Sequence, residues 1–514
     1  MTWKFAGGVA FAAATFVALG AIPADAQKAK DTLRFPLLEV ESTLDGYLTS
    51  GWFHQVWSRS VYDSLIGFDP ASGKFTPELA TKWSQPTPTT YEFELRDDIK
   101  WHDGQPLTAD DVVYTVGWLI DPKTQFRYKA DWAWIQSIEK LGPNKVKITS
   151  KFPAPGGLMT LAGSTTIYPE HVHKPLENKQ EFGARPLGTG LYKILKLDKN
   201  SGVTAERNPN YKPSVNKPAA TIGHVIAEPI QDPGTLVAAL LTGKADIAAN
   251  LSGDQAEDLK KSGKYDVTLS PPAVGYTFLG FPAGGRNNVK ALADPRVRKA
   301  IVMAINRKAL VKVTYGGLAE GVQPVEALCL KEQLGCGYTK SVPDYDPAGA
   351  KKLLAEAGYA DGFDVVISTF PRYLQPTTAV SGMLRAVGIR ATVQPHPIAN
   401  RVQMLKDNKI DMSYYSWSGG NQFEVSGNIG RHFLAKDYAD GPLEQAAEKT
   451  LSIMDDKERR AAVAKAFDEV TDKGYAFAML PNRFIYTHTK EVALVNPNEV
   501  REMDIIGVHE WRWR

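Results

Sequence analysis

The chain holds 514 residues, with 60 Lys and Arg against 57 Asp and Glu and a formal net charge of +3. Such a balance gives no ground for nucleic acid or an anionic membrane surface as a partner. The length exceeds a single hydrophobic core and predicts two or three domains, and no internal repeat points to a solenoid.

The N-terminus reads as an export signal. Lys4 precedes an apolar run over 5–22, and Ala24-Asp25-Ala26 supplies the small residues of a cleavage site. The expectation is a signal peptide over 1–26, cut after Ala26, with no cysteine beside the cut to carry lipid. The mature protein is then periplasmic and unlipidated. Its two cysteines, Cys329 and Cys336, meet an oxidising compartment there and are expected to form a disulfide.

A strand over 33–37 comes next, then a loop that contains Tyr47. Residues 71–184 are rich in short strands, tryptophans and turn residues and read as a β-rich module. Within it Tyr91, Phe93 and Leu95 alternate with Glu92, Glu94 and Arg96, as in a half-buried strand. Asp103-Gly104 makes a turn. Thr108 and Asp111 then form a capping box ahead of the apolar stripe Val112, Val116, Leu119 and Ile120.

Between 221 and 249 the pattern becomes strand, helix, strand, with Asp232-Pro233 as N-cap and first helical position. Residues 363–417 extend the same alternation, with strands over 363–370, 389–394 and 410–417 and helices over 377–387 and 398–406. A βαβαβ run implies parallel strands. Parallel strands end on one edge, and open α/β sheets bind ligands in the crevice beyond it. The segments that begin at Phe370 and Trp417 are therefore expected side by side.

Several stretches carry wording that folding alone does not require. They are Val61-Tyr62-Asp63-Ser64-Leu65-Ile66, Pro77-Glu78-Leu79-Ala80-Thr81-Lys82-Trp83, the run from Tyr91 to Asp111, and Pro186-Leu187-Gly188-Thr189-Gly190-Leu191-Tyr192. Arg207-Asn208-Pro209-Asn210-Tyr211, Asp294-Pro295-Arg296-Val297-Arg298-Lys299-Ala300 and Tyr345-Asp346-Pro347 through Tyr359 continue the series. In order and wording the chain resembles the extracellular solute-binding proteins of peptide, nickel and opine ABC importers, the family 5 type. Lys212 stands where that family usually has tryptophan.

The resemblance implies an α/β, two-lobed periplasmic-binding-protein fold, type II-like, with an extra β-rich module. Lobe I would combine 27–70, 185–278 and 484–514, the module 71–184, and lobe II 279–483, with two crossovers near 278 and 484 as the hinge. It also implies a receptor that needs no cofactor, works as a monomer, captures a small solute between its lobes and delivers it to the permease subunits of an importer.

Arg372, after a strand and a proline, is the first candidate for ligand contact, because a guanidinium holds a carboxylate bidentately. In peptide-binding relatives an arginine in a similar position holds the ligand's carboxylate. The second loop holds Tyr415, Trp417, Ser418 and Asn421, where dipeptide-binding relatives read Trp-x-Gly-Asp and use the aspartate for the ligand's ammonium. Here no acid follows Trp417 until Glu424, and an amide cannot offset a buried ammonium. That departure argues against plain dipeptides and for blocked or longer peptides, opine-like conjugates or other carboxylated solutes. A metal chelate such as nickel's, or a sugar, is the alternative ligand. Tyr47, Trp134, Asn250 and His432 are further candidates for the cleft wall, each with packing as its competing role.

Catalytic patterns are weak. His171 and His173 lack a third ligand at metal spacing. Asp110-Asp111 suits a helix N-terminus better than acid–base work. No Gly-x-Ser-x-Gly, His-Glu-x-x-His or phosphate-binding loop is present. A secreted hydrolase is the rival class, and binding without turnover is the expectation.

Overall fold

The structure, a computed structural model, describes residues 31–48, 52–69, 72–126, 129–215, 217–249, 251–270, 275–282, 288–397, 400–417, 424–425, 429, 441–495 and 506–514. The expected signal peptide, and Asn250, Ser418, Asn421 and His432, lie outside the described residues.

Strand β1 (Thr32–Arg34) leads to helix α1 (Trp52–Val61) and the hairpin of β2 (Ile66–Asp69) and β3 (Lys74–Pro77). Strands β4 (Ala80–Thr87), β5 (Thr90–Leu95), β6 (Ile135–Gly142) and β7 (Lys145–Ser150) form an antiparallel sheet in the order β4-β5-β7-β6. Tyr91, Phe93 and Leu95 of β5 are buried, as their alternation requires. Helix α2 (Ala109–Ile120) covers β6 and β7. Asp111 accepts hydrogen bonds from the Thr108 backbone (2.8 Å) and hydroxyl (3.2 Å), the reciprocal half of the expected capping box.

Strands β8 (Tyr192–Asp198), β9 (Gly202–Arg207) and β10 (His224–Ala227) return beside β1 in the order β1-β10-β9-β8, with β1 parallel to β10. Helix α3 (Pro233–Leu241) opens on Asp232, whose carboxylate accepts from Thr235 N at 2.7 Å. After it come β11 (Ile247–Ala249), α4 (Gly253–Lys261) and β12 (Tyr265–Leu269).

The second lobe is built on one sheet. Its elements are β13 (Tyr276–Gly280), β14 (Asp364–Thr369), α5 (Leu374–Arg385), β15 (Arg390–Pro395), α6 (Arg401–Lys406), β16 (Met412–Trp417), α7 (Asp456–Lys473) and β17 (Ala476–Pro481). The strand order is β15-β14-β16-β13-β17, with β15, β14 and β16 parallel. Strand β18 (Ile485–Thr489) then re-enters the first lobe between β11 and β12. The Cys329–Cys336 disulfide is formed. No helix among the described residues is long and apolar enough to cross a membrane.

Two connections join the lobes, over 270–275 and 482–484, and backbone bonds tie them together. Ser270 N donates to Phe484 O (2.7 Å) and Asn482 N to Gly275 O (2.9 Å). Tyr276 already pairs with β16 and β17.

The apolar cores follow the same division. One runs from Tyr276 to Leu480, a second gathers the module, and two smaller ones fill the first lobe. Tyr47, Val61, Tyr62 and Leu65 join the module's core even though they precede it in sequence.

Most of the early signature stretches meet in a single knot between the module and the first lobe. The buried Lys217 ammonium pairs with Asp63 and donates to Tyr62 O at 2.8 Å, with Glu78 3.9 Å away. Thr189 donates to Asp63 at 2.6 Å, and Asn208 to Gly190 O at 3.0 Å. His102 donates through Nε2 to Gly190 O (3.0 Å) and accepts at Nδ1 from Gly188 N (3.3 Å), so it is the neutral tautomer. Gly188 is required here, since a Cβ would stand 1.9 Å from Val61 O. Burial alone would raise Asp63, but the Lys217 charge and hydrogen bonds hold its carboxyl below the usual value. Glu78, also desolvated, is pushed up to about 7 despite Lys217. Burial drops His102 to about 4.

Candidate functional site

Parallel pairing of Thr369 with both Tyr414 and Pro395 puts the ends of β14, β15 and β16 on one edge. Because β13 is antiparallel to β16, Tyr276 at its start lies opposite Trp417 and, on its other side, Pro481. Both interlobe connections therefore leave from the edge where the parallel strands end. That edge faces the first lobe, and Phe370 and Trp417 share it as expected.

Arg372 occupies a short 3-10 turn, Pro371–Tyr373, directly after β14. Its Nη2 donates to Ser416 Oγ at 2.9 Å. The guanidinium lies 4.6 Å from the Tyr373 ring centre and 5.4 Å from that of Phe484, a residue of the second interlobe connection. Tyr373 donates to Asn482 Oδ1 at 3.0 Å, which fixes the turn against the hinge. The Arg372 side chain is exposed, and no carboxylate among the described residues pairs with it. Stacking on the two rings and the Ser416 hydroxyl are the contacts that the described residues supply to the Arg372 guanidinium.

Beneath it the strand ends are stiff. Tyr415 stacks on Phe370 at 4.5 Å between ring centres. His396 Nδ1 faces Pro397 O at 3.0 Å, which leaves Nε2 to accept the Tyr415 hydroxyl at 2.7 Å. The Arg401 guanidinium lies over the Tyr415 ring, 5.4 Å from its centre. Tyr415 is only 1% exposed, so the structure makes it a support for Phe370 rather than a ligand contact. Trp417 is 5% exposed, opposite Tyr276.

Tyr47 and Trp134 take the packing role that competed with cleft contact in the sequence. Tyr47 is enclosed by Trp118, Phe126, Trp132 and Tyr168, and its hydroxyl donates to Thr166 O at 2.5 Å. It packs the module core instead of lining a cleft. Trp134 packs edge-on against Tyr91, with its ring against Gly157. Sequence reasoning missed Ser416, Phe484 and Lys217. Ser416 is hidden between two aromatics, and Phe484 follows the polar pair Asn482-Arg483. Lys217 looks like any loop lysine beside Pro218.

Among the described residues no group of three or more His, Cys, Asp or Glu is arranged to hold a metal. His171 bonds Asp103 at 2.7 Å at the surface, while His173 is buried with Tyr114. Asp110 pairs with Lys140 and Asp111 caps α2.

Residues 74–428 match the model of the bacterial extracellular solute-binding proteins, family 5, middle part. The chain is 26% identical over 481 residues to the glutathione-binding protein GsiB of Shigella dysenteriae, covering 88% of this chain and 89% of that protein. Its fold is similar to the ABC transporter-associated periplasmic binding protein DppA of Helicobacter pylori in complex with the peptide STSA, at TM-score 0.78 and 22% identity, covering 95% and 99% of the two chains. NikZ of Campylobacter jejuni in complex with Ni(L-His) gives TM-score 0.80 at 22% identity, covering 94% and 99%.

Proposed function

The chain belongs to the bacterial extracellular solute-binding proteins of family 5, and from that premise we propose that it is the receptor for a carboxylated, peptide-like or opine-like solute. The observation that carries this reading is Arg372, an exposed guanidinium at the hinge-side strand edge with no acid partner among the described residues. The ligand's carboxylate docks there, beside Ser416, against the aromatic floor of Phe370, Tyr373 and Phe484. Trp417 bounds the same edge; Ser418, Asn421, Asn250 and His432, which lie outside the described residues, remain the sequence candidates for the rest of the solute.

The relatives' ligands supply probes. Glutathione and the peptide Ser-Thr-Ser-Ala both carry carboxylates, and calorimetry against their methyl esters isolates the anionic group. Binding of the free acids and loss of binding on esterification supports the reading; equal affinity for acid and ester removes it.

Contacts made to both lobes at once shift the open–closed equilibrium, and the closed form is what the permease recognises. The receptor is monomeric, catalyses no reaction, and is exported with cleavage after Ala26 and without lipid. Intact-mass measurement on protein recovered from periplasm checks the last point.

A further inference from the structure

Outside the proposed ligand edge, the second lobe touches the module at a place built from residues far apart in sequence. Glu424 is completely buried and ion-paired with Arg459 of α7, which is itself only 4% exposed. Burial lowers Arg459 to about 10. Glu424 pairs through its backbone with Leu334, and Val425 N donates to Leu334 O at 3.0 Å. Leu334 belongs to the loop closed by the Cys329–Cys336 disulfide. Arg460 fastens that loop to α7 by donating to Cys336 O at 2.8 Å.

The opposing surface belongs to the module. Leu330 and Leu334 pack on the module's apolar core, and Leu330 packs on the second lobe's core as well. Glu424 Oε2 lies over Gly156, where a Cβ would stand 2.7 Å away. The turn that carries Gly156 is held by Tyr91, which donates to Ala154 O at 2.9 Å, and by Trp134 behind Gly157. Since the Lys217 knot ties the module to the first lobe, this contact joins the two moving halves of the molecule.

We propose that the disulfide-closed loop and the Glu424–Arg459 pair form a latch that seats under Gly156 when the lobes close and separates when they open. A carboxylate buried and paired in this manner is a positioning group. It is also withdrawn from the role an acid plays for a ligand's ammonium in dipeptide receptors. Gly156 is the gatekeeper of the contact: its φ of −84° lies outside the left-handed region, and the three atoms nearest an added Cβ all belong to Glu424, so the paired Glu424 side chain must shift to admit one.

The test needs no ligand and so stands apart from the carboxylate reading. Small-angle scattering on Gly156→Ala should give a larger radius of gyration than wild type, with an unchanged circular dichroism spectrum. Adding Glu424→Asp, one methylene shorter, should return the radius toward wild type. An unchanged radius in Gly156→Ala, or no recovery in the double variant, overturns the latch. If Gly156→Ala fails to fold, Leu334→Ser on the opposing loop carries the same readout: expansion supports the latch and an unchanged radius removes it.

Discussion

The knot around Lys217 and the strand edge around Arg372 each set a cation among aromatic and hydroxyl groups, yet they do opposite work. Lys217 is sealed, paired with Asp63 and beside Glu78, and its donors reach backbone of stretches that the family resemblance rests on. Arg372 is exposed, stacked on rings and hydrogen-bonded to one hydroxyl. The difference teaches that the family's most recognisable wording specifies a joint between module and first lobe. On the proposed reading the ligand is met elsewhere, at the strand edge that carries Arg372. A buried cation that is paired is costly to strip of its partners; the half-paired one at the strand edge is, on the proposed reading, the seat of the ligand's anion.

Substitutions should separate the two. Lys217→Ala leaves Asp63 and Glu78 buried without their cation and should cost about 3–5 kcal/mol of unfolding free energy in urea titrations. The ligand affinity of the folded fraction should stay near wild type. Arg372→Ala should do the reverse, weakening a carboxylated ligand by about 2–5 kcal/mol in calorimetry while stability moves by no more than about 0.5 kcal/mol. If both variants lose affinity alone, the comparison collapses.

Smaller effects sharpen it. Removing the disulfide as Cys329→Ala/Cys336→Ala should lower stability by roughly 2 kcal/mol, from the short loop it closes. The knot should also respond to acid. His102 has a folded pKa of about 4, below the ordinary 6.5. Its contribution is therefore present above pH 6.5 and is lost as pH falls through 4. His102→Gln should flatten that part of the stability profile by about 1 kcal/mol, discounted for the ring's partial exposure. Glu78 acts with the opposite sign. Its pKa is raised to about 7, so its contribution is present below the ordinary 4.5 and lost as pH rises through 7. Glu78→Gln should remove that decline.

Sequence alone carried the second lobe far. Period-2 strands, a helix ending at Gly388 and short connections made the parallel order of β14, β15 and β16 readable between 363 and 417. The edge, and with it Arg372, followed from parallel pairing rather than from any motif. What escaped were contacts set by distant chain. Tyr47 in a loop reads as cleft wall or, more readily, as core, and Thr166 O, which accepts its hydroxyl, is 119 residues away. Lys217 gives no local sign that Asp63, 154 residues earlier, holds it. Glu424 was visible as the first acid after Trp417, but its partner Arg459 lies on a helix that reads as ordinary charged surface.

The most direct test of the account is native mass spectrometry of wild type and Arg372→Ala, each incubated with the same mixture of glutathione, Ser-Thr-Ser-Ala and their methyl esters. The account predicts a free-acid adduct on wild type that is absent from Arg372→Ala, and no ester adduct on either. An identical adduct on both proteins, or an ester held as firmly as its acid, would contradict it.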